Sequence, residues 1–115
     1  MSSAAEKIDW KPLCQKADLI ANSGVCTLIE DQQIAIFYLP KEQPEVFALG
    51  NWDPIGKANV ISRGIVGDIG GKLVVASPLY KQHFELETGS CLDEPEVKLP
   101  AYTVCLDGEE VLISL

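Results

Sequence analysis

Short apolar runs separated by turn residues recur along almost the whole chain, and they constrain its fold more than any other feature of the sequence. The runs are rich in β-branched and aromatic side chains, and the turn signals recur about every 8 to 12 residues, which is typical of antiparallel strands in a β-sandwich or barrel. We predict about eight or nine short strands, at 25–29, 34–39, 46–49, 65–68, 72–76, 83–86, 102–106 and 111–113.

Turn chemistry supports this all-β prediction. Asp107-Gly108 lies between two apolar runs, which is among the better short-range signals of a hairpin, and Gly70-Gly71 gives a second one. Helical signal is confined to 10–21, where weak spacing allows at most one short turn near 15–20. The sequence therefore predicts an antiparallel β-sandwich of short strands.

The chain has 115 residues, which is one domain. The segment from Met1 to Lys7 is small, polar and acidic, so we predict a flexible tail over 1–9 and a folded domain over 10–115. This tail lacks the basic and apolar regions of a secretory signal, and no run of 18 apolar residues indicates a membrane span. A cytoplasmic location is the resulting expectation.

An excess of acidic residues, 17 against nine basic ones, gives a net charge of -8. Such a surface repels phosphate backbones and anionic membranes, so neither nucleic acid nor a membrane is expected as a partner. The acidity has two interpretations: it confers solubility, or it steers the protein towards a basic patch on a partner protein.

Four cysteines stand far apart, at Cys14, Cys26, Cys91 and Cys105, and His83 is the single histidine. This spacing contains no zinc-binding pattern, and without an export signal we expect reduced thiols. Cys26 and Cys105 fall inside predicted strands, so we expect them to be small core residues. We expect His83 to be structural or solvated rather than catalytic.

Two loops interrupt the strand pattern, over 50–63 and 77–81, and long loops in compact domains are often functional. The order of strands and loops resembles a Rieske [2Fe–2S] domain (ISP-type) from about Trp10 to Leu115. In that family the first loop offers Cys-x-His and the second offers Cys-Pro-x-His to the two irons. The resemblance places these four ligand positions at Asn51, Asp53, Ser77 and Tyr80.

Neutral amide and hydroxyl groups are poor substitutes for thiolates at a sulfide-bridged cluster, so the resemblance implies that the ligands are lost. A short, acidic Rieske-like chain of this kind resembles the small subunit of assimilatory NAD(P)H-dependent nitrite reductase. The specific cues are the runs at 10–11, 51–54, 62–64 and 77–84. The resemblance implies no active site or cofactor on this chain, and a large-subunit partner that carries FAD, an iron–sulfur cluster and sirohaem. Seven loop residues are predicted partner contacts: Trp52, Pro54, Arg63, Pro78, Leu79, Tyr80 and Lys81.

Alternatives remain open at this stage. The chain could be a stand-alone Rieske-fold interaction module, because a fold does not determine a function, or a true Rieske electron carrier. The 51–54 segment could contact a partner, or form a turn in which Asn51 and Asp53 bond their own backbone. Trp52 could anchor an interface or cover the place that the cluster vacated. We further hypothesise that the Tyr80 phenol bonds to the first loop and replaces the metal as a cross-link.

Overall fold

The computed structural model describes residues 9–114, and the predicted tail lies almost entirely outside them. Eleven strands and two short 3-10 turns, Lys16–Asp18 and Ile61–Arg63, make up this part of the chain. The strands are β1 Trp10–Gln15, β2 Ser23–Ile29, β3 Gln32–Tyr38, β4 Val46–Gly50, β5 Trp52–Asp53, β6 Ala58–Asn59, β7 Ile65–Ile69, β8 Lys72–Ala76, β9 His83–Glu85, β10 Ala101–Asp107 and β11 Glu110–Ser114.

These strands form antiparallel sheets, which confirms the all-β prediction. The largest has six strands in the order β1-β11-β10-β4-β3-β2, and a second has three in the order β7-β8-β9. The predicted hairpins at Gly70-Gly71 and Asp107-Gly108 join β7 to β8 and β10 to β11. All three glycines of these two hairpins have a positive φ, which glycine adopts without a steric cost.

Two apolar clusters lie on opposite faces of the six-stranded sheet, because successive side chains of a strand point to opposite faces. Ala35 and Phe37 of β3 pack with Phe84 and residues of the three-stranded sheet, whereas Ile34 and Ile36 pack with β4, β10 and β11. Since both faces are covered, 34–37 is completely buried. Each large side chain buried in this way stabilises the fold by roughly 2 kcal/mol.

Both loops predicted from the interrupted strand pattern leave the sheets at one end of the molecule. β4 runs directly into the first loop, which contains the small β5–β6 hairpin, and β8 runs into the second. We call this the loop end; it is formed by 51–64 and 77–82. Between residues 9 and 114, no helix is long and apolar enough to cross a membrane.

The weak helical spacing over 10–21 does not correspond to a helix in the first half of that segment. Trp10–Gln15 is the edge strand β1, paired with β11, and only Lys16–Asp18 forms a helical turn. A bulge between Pro12 and Cys14 interrupts the alternation, so that Leu13 and Cys14 both pack against the core. This departure from a period of two concealed the strand. Pro12 is compatible with it because an edge strand tolerates a residue that has no N–H.

Candidate functional site

A hydrogen bond between two side chains joins the two loops of the loop end. The Ser77 hydroxyl donates a hydrogen bond to Oδ2 of Asp53 at 2.5 Å. Both residues are buried, with exposures of 1% for Ser77 and 0% for Asp53. β5 explains why Asp53 points inward, since its neighbour Trp52 points to solvent in the alternation of a strand. Two positions of the four-residue ligand pattern are therefore bonded directly to each other.

The second oxygen of Asp53 organises the first loop. Oδ1 accepts hydrogen bonds from the backbone N–H groups of Ile55 at 2.9 Å and Gly56 at 3.0 Å. This is an Asx turn, so the predicted self-bonded turn is confirmed for Asp53. With three donors on one carboxylate, Asp53 has a structural role in this protein.

Asn51 holds the first loop at both of its ends. Its amide donates to Oε1 of Gln33 at 3.0 Å, and its Oδ1 accepts the backbone N–H of Ser62 at 2.7 Å. These partners lie 18 and 11 residues away, so Asn51 bonds to distant parts of the chain and not to its own turn. The prediction of a self-bonded turn was wrong for this residue.

Tyr80 does not join the loops. Its side chain is 65% exposed, and no hydrogen bond of its phenol occurs within the described part of the chain. The cross-link that we assigned to Tyr80 is made by Ser77, the buried residue at which the second loop begins. The hypothesis of a locking phenol was therefore wrong, because the Tyr80 side chain points to solvent.

We accordingly expect Tyr80→Ala to have little effect on stability. An exposed side chain with no buried partner contributes within about 0.5 kcal/mol, so the melting temperature should change by roughly 2 °C or less. Thermal unfolding followed by circular dichroism measures this. A fall of about 8 °C would restore the locking role of the phenol.

The predicted partner contacts all lie at the surface of the loop end. Trp52 is 48% exposed and Leu79 45%. The inner side of Leu79 packs against Gly56, where an added Cβ atom would overlap the Leu79 side chain. All seven are exposed: Trp52, Pro54, Arg63, Pro78, Leu79, Tyr80 and Lys81.

One apolar residue of this surface was missed from the sequence. Ile65 is 75% exposed and begins β7, next to the loop end. It pairs with Ala76, the residue that precedes Ser77. The sequence does indicate one exposed apolar side chain here, because Ile65 and Val66 are consecutive in a strand and only one of them can face the core. Beside Trp52, a cleft of about 290 Å³ continues the surface, with Pro54, Lys98 and Tyr102 in its lining.

The residues at the four family ligand positions do not fit a [2Fe–2S] cluster. Asn51 and Ser77 offer a neutral amide and a hydroxyl, and the carboxylate of Asp53 already accepts three hydrogen bonds. Between residues 9 and 114, no group of three or more histidine, cysteine or acidic side chains could hold a metal ion.

Cys26 lies near this site but is not the core residue that we expected. It is exposed on β2, and its sulfur accepts a hydrogen bond from the Asn51 amide at 3.5 Å. Although the residue is exposed, partial desolvation raises the pKa of the Cys26 thiol above its ordinary value. Cys105, the other expected core residue, is only partly buried.

His83 has the structural role that we expected. Its backbone N–H donates to Oδ2 of Asp93 at 2.7 Å, and its Nδ1 lies 3.1 Å from the same oxygen. The backbone hydrogen bond is the main reason that the pKa of Asp93 lies below its ordinary value. This contact fixes the start of β9 just after the second loop.

The sequence as a whole matches a known family. Residues 9–114 match the family described as the Rieske-like [2Fe-2S] domain. The fold is similar to that of the ferredoxin of carbazole 1,9a-dioxygenase from Nocardioides aromaticivorans IC177, with a TM-score of 0.76 over 91% of this chain and 96% of that chain. Sequence identity there is 18%, so this likeness concerns the fold alone.

Stronger similarity joins the chain to one group of relatives. The nitrite reductase (NADH) small subunit of Escherichia coli K12 is 41% identical over 93 residues, which cover 81% of this chain and 85% of that relative. A Mycobacterium tuberculosis crystal structure assigned as an NADH-dependent nitrite reductase small subunit is 41% identical, with a TM-score of 0.85, and the match covers 93% of this chain and 95% of that one.

A third relative differs in length. The nitrite reductase [NAD(P)H] large subunit of Klebsiella oxytoca is 35% identical to this chain over 104 residues. The match covers 90% of this chain but only 11% of that large subunit. A segment similar to the whole described domain is therefore contained in a much longer polypeptide.

Proposed function

This chain belongs to the nitrite reductase small subunits of the Rieske-like [2Fe-2S] domain family, and from that premise we propose that it is a non-catalytic subunit that binds the large subunit of an NAD(P)H-dependent nitrite reductase. In this proposal the large subunit carries FAD, an iron–sulfur cluster and sirohaem and reduces nitrite to ammonia. This chain supplies no cofactor and works in the cytoplasm, where its four free thiols stay reduced.

The observation that carries the proposal is the Ser77–Asp53 hydrogen bond. In an electron carrier of this fold, the loop end holds the cluster and its four ligands. Here three of the four corresponding positions, Asn51, Asp53 and Ser77, are held by hydrogen bonds within the protein, whereas Tyr80 faces solvent. A loop end built in this way supports a role in binding rather than in electron transfer.

The Klebsiella relative supports the choice of partner. A segment that resembles this chain forms part of a protein described as a nitrite reductase large subunit. Two domains that are joined in one polypeptide are held together at a high effective concentration, which suits domains that work as a pair. We infer that the separate chain makes a comparable association by non-covalent binding.

The loop end is the surface that we assign to this association. Aromatic side chains contribute much of the energy of protein interfaces, and exposed apolar patches mark interaction sites. The loop end presents two exposed aromatic side chains, Trp52 and Tyr80, together with the apolar residues Leu79, Pro54 and Pro78. Beneath these side chains the loops are held rigidly by buried hydrogen bonds, which reduces the entropy that is lost on binding.

Trp52→Ala is expected to weaken binding of the large subunit by about 2 kcal/mol, which is roughly thirtyfold in Kd. The indole is half-exposed and borders the cleft, so it can enter a pocket on the partner without rearrangement of this chain. Co-purification with a tagged large subunit, followed by titration in an interferometry assay, measures the effect.

Ile69→Ala is the matched control, because Ile69 is 43% exposed and lies at the far end of β7 from the loops. It should bind as the parent protein does. If the parent chain does not bind the large subunit, the proposed function is wrong. If it binds and Trp52→Ala binds equally well, the assignment of the loop end is wrong.

A further inference from the structure

Positive charge is concentrated at the loop end of this acidic protein. Lys57, Arg63 and Lys81 are all exposed there. The single carboxylate within 51–64 and 77–82 is that of Asp53, which is buried and bonded to Ser77. The accessible charges of these two segments are therefore all positive.

The rest of the molecule has the opposite balance. Of the 17 acidic residues in the sequence, 16 lie outside those segments, where only six of the nine basic residues are found. Among these carboxylates, Asp93 is bonded by His83, which follows the second loop directly. Lys98 adds a further cation in the lining of the cleft beside Trp52.

The three cations of the loop end are not neutralised within the described residues. Two ion pairs occur between residues 9 and 114, and they join Lys11 to Glu30 and His83 to Asp93. Lys57, Arg63 and Lys81 thus belong to the same two loops as the exposed apolar side chains of the loop end, and none of the three has an ion-pair partner among the described residues. A partner that covers these apolar side chains also has to receive the cations.

We propose that the large subunit presents an acidic rim to the loop end, and that the asymmetric charge of this chain orients its docking. The inference rests on the proposed function and specifies the chemistry of the partner surface. An acidic rim attracts the loop end and repels the remaining, acidic surface, so that encounters in the wrong orientation are suppressed. This proposal differs from the interpretation in which the acidic surface steers the chain towards a basic patch, because here the basic loop end meets an acidic surface of the partner.

Association kinetics test the charge of the partner surface. The purified chain and the large subunit are mixed at several ionic strengths, with the parent protein and with Lys81→Glu and Arg63→Glu. We expect the parent to associate more slowly as salt rises, and each reversal to lower the association rate constant roughly five- to tenfold at low salt. The difference should shrink at high salt, where surface charges are screened.

Lys72→Glu is the matched control. Lys72 is exposed and begins β8, so it lies at the opposite end of the strand that leads into the second loop. The substitution changes the net charge by the same amount as Lys81→Glu, and we expect it to alter the association rate less than twofold. Melting temperatures establish that all three variants are folded.

The outcomes separate this inference from the proposed function. Binding by the parent chain with unchanged or faster association of Lys81→Glu and Arg63→Glu would overturn the acidic rim and leave the proposed function intact. Equal slowing by Lys72→Glu would show that only net charge matters, and would also overturn it. Failure of the parent chain to bind at any ionic strength would overturn both.

Discussion

Asp53→Ala is expected to lower the free energy of unfolding by about 3 kcal/mol and the melting temperature by roughly 10 °C. Asp53 is fully buried, and its carboxylate accepts hydrogen bonds from the Ser77 hydroxyl and from the backbone of Ile55 and Gly56. Alanine removes the acceptor for all three donors, and buried donors without partners destabilise a fold more than the lost bonds alone. Urea denaturation of the purified chain measures the change.

Two milder substitutions control this result. Ser77→Ala removes one donor and leaves the backbone bonds of Asp53 intact, so we expect a loss of about 1 kcal/mol. Asp53→Asn keeps an acceptor for the two backbone N–H groups and can donate to Ser77, so it should be less destabilising than alanine. If Asp53→Ala unfolds within about 0.5 kcal/mol of the parent, the carboxylate does not hold the loops together.

Gly89→Ala is expected to have the largest effect on stability, about 3 to 4 kcal/mol, and to reduce the amount of folded protein recovered. Gly89 has a φ of 82°, and a Cβ atom there would overlap the backbone carbonyl of Leu99. The backbone cannot easily move away, because the Gly89 N–H donates to the Glu85 carbonyl at 2.7 Å and its own carbonyl accepts from the Leu99 N–H at 2.8 Å. Equilibrium unfolding or the soluble yield measures the loss.

Gly67→Ala is the control for this substitution. Gly67 lies on β7 with open space where a Cβ would be added, and its φ is not in the left-handed region. We expect a change within about 0.5 kcal/mol, in the stabilising direction if the unfolded chain becomes less flexible. Equal stability of Gly89→Ala and Gly67→Ala would contradict the close packing of Gly89 against Leu99.

The strands could be predicted from the sequence because their burial follows the alternation of side chains. β2, β3, β8 and β10 form where apolar runs are bounded by turn residues. β1 could not be predicted, since its bulge depends on pairing with β11 almost a hundred residues later in the chain. The small β5–β6 hairpin was missed as well, because two-residue strands show no period.

At the site, the positions could be predicted but the bonds between them could not. Register against the family pattern identified Asp53 and Ser77 as separate ligand positions, yet their contact spans 24 residues and depends on how two loops fold together. The same limit applies to Tyr80, because the direction of its side chain is set by the turn that follows Ser77. Cys26 was misplaced because a short apolar run does not reveal which of its alternate residues faces solvent.

Whether the loop end holds a cluster is measured by the iron content and visible spectrum of this chain, purified alone under reducing conditions with iron and sulfide supplied during expression. We predict a folded, colourless protein without stoichiometric iron, because the four ligand positions bond within the protein or face solvent. A Rieske-like spectrum with about two irons per chain would contradict this account, and the chain would then be an electron carrier.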